Sequence, residues 1–78
     1  MAKSIYSAGQ EKLQRVLAET REAAGFTQTA LARKLKRPQS FVSKYESGER
    51  RLDLIELREI CRALSIALVD FVRKFERL

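Results

Sequence analysis

Residues Thr27–Gly48 read TQTALARKLKRPQSFVSKYESG. Thr27 has a hydroxyl able to cap a helix, and Leu31, Ala32 and Leu35 recur behind it at helical spacing. Lys36-Arg37 breaks that pattern. Pro38 follows, and its fixed φ suits the first turn of a new helix. Val42 and Tyr45 form a second apolar stripe, which Gly48 ends. The stretch is therefore expected to form two short helices, from Gln28 to about Leu35 and from Pro38 to about Ser47, joined by a tight turn. The first presents Gln28 at its exposed start. The second turns Pro38, Gln39, Ser40, Ser43 and Lys44 outward, four of them able to hydrogen-bond.

The charge of the chain is concentrated on this unit. The formal net charge is +6. Residues 33–51 hold Arg33, Lys34, Lys36, Arg37, Lys44, Arg50 and Arg51 against Glu46 and Glu49, a balance of +5; residues 1–32 carry +1 and residues 52–78 are neutral. A basic block of this kind is the footprint of a polyanion-binding surface.

Helical patterning continues on both sides. Upstream, Ser7 with Gln10 has the spacing of a capping box, Leu13, Val16, Leu17 and Ala24 recur at helical intervals, and Gly25 is a natural left-handed terminator. Residues 1–6 read as a flexible N-terminal arm. Downstream, Asp53 and Glu56 form another capping-box pair ahead of a stripe of Leu54, Leu57, Ile60, Cys61 and Leu64. A last helix is expected from about Leu68 to Arg77, with Leu68, Phe71, Val72 and Phe75 apolar. No segment alternates with period two, so the expected fold is all-α: five helices in one domain over residues 7–78.

Composition narrows the function. The chain has no histidine, one cysteine and three isolated glycines. It therefore lacks the usual general base near neutral pH, a common zinc-ligand set and a glycine-rich phosphate loop. No enzyme activity, cofactor, metal or small-molecule ligand is expected. No apolar run approaches the roughly 20 residues that span a bilayer, and no signal-peptide block precedes the domain, so no membrane partner and a cytoplasmic location are expected. Cys61 falls on the inner stripe of the fourth helix and reads as inert packing.

Four sequence tokens occur in order: G-x-T-Q at Gly25–Gln28, L-A-x-x-L at Leu31–Leu35, V-S-K-Y-E-x-G at Val42–Gly48, and L-x-x-I-x-x-x-L at Leu57–Leu64. Together they resemble the Cro/lambda-repressor-like helix-turn-helix family, also called the xenobiotic-response-element type, over Leu17 to Phe75. The resemblance implies a five-helix DNA-binding domain whose third helix lies in the major groove of double-stranded DNA. Pro38, Gln39, Ser40, Ser43 and Lys44 would then face the bases; glutamine suits adenine and lysine suits guanine acceptors. Phosphate contacts would fall to Gln28, at a helix N-terminus suited to anions, and to Arg37, Arg50 and Arg51. Arg21 and Glu46 would form a shielded salt bridge that fixes the third helix. Three departures stand out: Lys36 and Ser65 where glycine is common, and Ala67 where a capping hydroxyl is common.

The implied function is that of a sequence-specific transcriptional regulator, a repressor acting as a homodimer on a palindromic operator. The last helix carries more apolar residues than one small core needs. Val69, Val72, Phe75 and Leu78 run along one face, with Ile55 a further apolar residue expected at the surface, and such a stripe marks an interface. The alternative reading is an antitoxin or protein-interaction module built on the same fold, with DNA binding secondary.

Overall fold

A computed structural model describes residues 7–77. The expected N-terminal arm and Leu78 lie outside the described residues. Five helices follow one another: α1 (Ala8–Ala23), α2 (Gln28–Leu35), α3 (Gln39–Ser47), α4 (Leu54–Ala63) and α5 (Leu68–Arg77), with no strand among the described residues.

Local chemistry explains the starts of α1, α2 and α4. The Ser7 hydroxyl accepts from the Gln10 N–H at 3.1 Å, and the Thr27 hydroxyl accepts from the Ala30 N–H at 3.0 Å. Asp53 and Glu56 complete a reciprocal box: the Glu56 N–H donates to Asp53 at 2.7 Å, and the Asp53 N–H donates to Glu56 at 3.1 Å. Pro38 sits one position before α3, as its N-cap, and contributes no side-chain hydrogen bond.

Four helix ends close alike, with an N–H returning to a carbonyl five residues back: Phe26 to Arg21, Arg37 to Ala32, Glu49 to Lys44 and Ile66 to Cys61. The residue before each donor is left-handed, and only two of the four are glycine: Gly25, Lys36 (φ 60°), Gly48 and Ser65 (φ 60°). The closing hydrogen bonds hold Lys36 and Ser65 in a conformation that costs an L-residue roughly 1–2 kcal/mol.

Val16 and Leu17 of α1, Leu31 and Ala32 of α2, Phe41, Val42 and Tyr45 of α3, Ile60, Cys61 and Ala63 of α4, Leu64, and Phe71 of α5 form one core. Cys61 is buried, and burial pushes its thiol up to about 11, which leaves it unreactive. Helix α5 is held by Phe71, by the flanking Leu68 and Phe75, and by a hydrogen bond from the Lys74 ammonium to the Thr20 hydroxyl of α1 at 3.1 Å.

Three expectations about apolar residues need correction. Leu54 is in register with Leu57 and Cys61 yet is 64% exposed, because it opens α4 where no neighbouring helix covers it. Ala24 is the exposed C-cap of α1 rather than part of its inner face. Phe75 is not part of an uncovered stripe: it packs against the core, with the Lys12 ammonium 4.8 Å from its ring centre. Val69, Val72 and Ile55 are exposed.

Candidate nucleic-acid interface

The outward face of α3 is anchored at both ends by a chain of side-chain hydrogen bonds. Near its carboxyl end, Glu46 accepts from Arg21 Nε at 2.8 Å and from Arg21 Nη2 at 3.1 Å. Arg21 Nη1 also donates to the Phe26 carbonyl at 2.8 Å. The Arg21 and Glu46 side chains are only 10% and 7% exposed, so this is a shielded pair, and the hydrogen bonds to Glu46 push the guanidinium above its usual range. Glu46 accepts a further bond from Gln28 Nε2 at 2.9 Å, and Gln28 Oε1 accepts from Gln39 Nε2 at 3.0 Å. The relay therefore runs from α1, through the end of α3 and the start of α2, to the first residue of α3.

This relay dictates how the two amides point. An ionised carboxylate only accepts, so Gln28 must turn its nitrogen to Glu46 and its oxygen to Gln39. Gln39 must then turn its nitrogen to Gln28. One N–H and the carbonyl oxygen of Gln39 are left outward, the donor–acceptor pair that adenine requires. Gln28 keeps one N–H at the start of α2, where unpaired backbone donors favour an anion.

The remaining expected base-facing residues lie along the same helix. Pro38, Ser40 and Lys44 are exposed. Ser43 is half-buried, and its hydroxyl donates to the Ser40 carbonyl at 3.3 Å. Arg37, Pro38, Ser40, Phe41, Lys44, Glu49 and Arg50 line a shallow groove of about 400 Å³ beside the start of α3.

The arginines expected at phosphates differ among themselves. Arg51 is exposed. Arg50 is held. It forks onto Glu56 of α4 at 3.0 and 2.7 Å, donates to the Arg51 carbonyl at 2.9 Å, and lies 4.8 Å from the Phe41 ring centre. Arg37 covers the same ring at 4.3 Å and stands 3.9 Å from Glu56. The Arg50 guanidinium, then the Asp53 N–H, holds the Glu56 carboxyl down at about 2. Glu56 stands out in the sequence only as a helix cap. The signal that could have revealed its second role is its position six residues after Arg50, across a loop too short to carry the two apart.

Residues 17–71 match the helix-turn-helix family. The chain belongs to the Cro/lambda-repressor-like helix-turn-helix family. Its members are DNA-binding transcription regulators, and the five-helix fold is theirs. An XRE-family like protein from Pseudomonas syringae pv. tomato str. DC3000 is 47% identical over 96% of this chain and 92% of its own, with a TM-score of 0.85. The wild-type restriction-modification controller protein C.Esp1396I is 27% identical over 91% of both chains, with a TM-score of 0.83, and a variant of it reaches 0.86 at 25% identity. No curated protein matches the chain. Among the described residues, no helix of this helix-turn-helix protein is long and apolar enough to cross a membrane, and no acidic, histidine or cysteine cluster could hold a metal ion.

Proposed function

We propose that the protein is a sequence-specific repressor that binds a palindromic operator as an isologous homodimer, with α3 of each protomer in the major groove. The observation that carries this reading is the relay Arg21–Glu46–Gln28–Gln39. It fixes the recognition helix at both ends and leaves Gln39 with an outward donor and acceptor. Pro38, Ser40, Ser43 and Lys44 complete the base-facing set. Gln28, Arg51 and the two arginines at Phe41 would meet phosphate on either side.

Dimerisation rests on the exposed Val69, Val72 and Ile55, 57%, 41% and 55% accessible on a domain this small. A protomer of 37 × 26 × 20 Å suits two copies side by side, with half-sites about one helical turn, roughly 34 Å, apart. Occupying the operator would itself block other proteins from that DNA, which makes repression the simplest action. The likeness to restriction-modification controller proteins fits a small regulator.

Selection of bound duplexes from a random pool tests the proposal. A palindromic consensus is expected. Gln39→Ala should then lose roughly 1–3 kcal/mol on the selected site and relax one base position in each half. A pool that yields no consensus, or a Gln39→Ala protein with unchanged preference, would refute it.

A further inference from the structure

Glu56 sits where three demands meet. It closes the capping box of α4, forks onto Arg50, and stands 3.9 Å from Arg37. Both arginines cover the Phe41 ring, so the carboxylate and the ring hold the two cations from different sides. Arg50 makes three hydrogen bonds, two through Nη1 and one through Nη2. Of the five donors in a guanidinium, Nε–H and one N–H of Nη2 stay open, and they point in fixed directions. The arginine side chains remain 37% and 44% exposed, so a phosphate can still reach them.

A mobile surface arginine meets any phosphate on any duplex, and that is the origin of sequence-independent affinity. An arginine whose charge is shared with a carboxylate, and whose donors are fixed, meets only a phosphate delivered along those directions. The start of α3, which carries Gln39 and Ser40, lies beside the same groove as Arg37 and Arg50. The phosphate is therefore delivered correctly only when the base contacts are in register.

We infer that Glu56 is a specificity-determining positioning residue: by holding Arg50 and Arg37 against Phe41 it makes their phosphate contacts conditional on correct docking and so suppresses binding to random DNA. This rests on the DNA-binding reading above.

The test compares the selected duplex with a scrambled duplex of equal length across a salt series. Glu59, 54% exposed on α4, provides a control of equal charge change. Glu56→Gln should bind the scrambled duplex several-fold more tightly, because a freed arginine can then pair with a phosphate of any sequence. Its loss of affinity between about 50 and 200 mM salt should grow by about 3.5-fold for each additional phosphate neutralised. The selected duplex should change less, so the ratio of the two affinities falls. Glu59→Gln should move both duplexes alike. Glu56→Asp keeps the net charge but is too short to fork onto Arg50 while capping α4, and it too should lower the ratio.

Nitrogen-15 relaxation of the Arg50 Nε–H in the free wild-type protein gives a measurement independent of any variant's folding. The side chain should be ordered, with an order parameter nearer the roughly 0.85 of rigid groups than the below roughly 0.6 of flexible ones. Equal shifts on both duplexes for Glu56→Gln and Glu59→Gln, an unchanged ratio for Glu56→Asp, or an Arg50 as mobile as Arg51 would each overturn the inference. A wild type that does not distinguish the two duplexes would instead remove the DNA-recognition reading on which it rests.

Discussion

Replacing Glu46 by alanine should be among the most damaging single changes to the fold. The substitution removes both carboxylate oxygens that Arg21 holds at 2.8 and 3.1 Å, and it leaves a guanidinium only 10% exposed with the Phe26 carbonyl and the exposed Glu22 carboxylate, 3.7 Å away, as its remaining partners. Breaking one side of a buried ion pair costs roughly 3–5 kcal/mol, chiefly because the other charge stays behind unpaired. The retained Phe26 bond and the Glu22 carboxylate place the expected loss near the lower figure, about 3 kcal/mol. A 78-residue domain has a total stability of only roughly 4–12 kcal/mol. The melting temperature followed by circular dichroism should then fall by at least about 12 °C. The double variant Arg21→Met with Glu46→Leu removes both charges and fills the space, and it should recover at least half of the loss. If Glu46→Ala stays within about 1 kcal/mol of wild type, or the double variant is as unstable as Glu46→Ala, the pair is not a shielded ion pair in solution and the reasoning fails.

Lys36→Gly relieves an exposed left-handed residue and should stabilise the domain by up to about 1 kcal/mol in urea unfolding, part of the relief being offset by glycine's entropy; a lower midpoint would contradict the φ of 60°. Glu56 is held at about 2 against an ordinary 4.5, so its ionised form favours the folded state. The stabilisation is present in full above the ordinary value and is lost as pH falls through about 2. Urea midpoints measured from pH 5 downward should therefore fall less steeply for Glu56→Gln than for wild type, and parallel curves would remove the coupling. Val69→Asp should convert a dimeric wild type to monomers in sedimentation equilibrium without lowering the monomer's stability, since Val69 is 57% exposed; a wild type monomeric at high micromolar concentration, both free and on DNA, would remove the dimer.

Much of the fold was legible because its punctuation is local. Thr27, Asp53 and Gly48 act within four residues of themselves, and a cap or a left-handed stop leaves the same mark in any context. The inner stripe of α4 was legible for a related reason, except at Leu54. Helical period tells which face a residue occupies but not whether a neighbour reaches that turn, and at the first turn of α4 none does. Phe75 failed in the opposite sense: its position suggested a surplus apolar residue, while the core and Lys12 of α1 cover it. The charged residues were harder. Arg21 and Glu46 lie 25 positions apart, and only the family resemblance joined them. Arg50 and Glu56 are close in sequence, but the charge count treats every arginine as equally available. Only the six-residue spacing to Glu56 hints that Arg50 is pinned, and nothing local says that its neighbour Arg51 is exposed.

The basic segment carries +5 by formal count, yet the partners of its ions come from outside it. Glu46 belongs to the segment but is neutralised by Arg21 of α1, which removes one negative charge and raises the balance to +6. Glu56 lies beyond the segment but stands against Arg50 and Arg37, which returns the balance to +5. The number is unchanged, and its meaning is not. The Glu46 pair is shielded from water and salt, so it acts on the position of α3 at any ionic strength. The Glu56 cluster is half open to solvent, and a phosphate can compete there for the same donors. Lys36, Lys44 and Arg51 have no carboxylate within ion-pair distance among the described residues. Under the DNA-binding reading proposed above, these, with Arg33 and Lys34, would be the cations that attract any duplex. On that reading the chain would divide its basic residues between those that draw DNA in and those that respond to how it docks, and the division follows from which carboxylate each one meets.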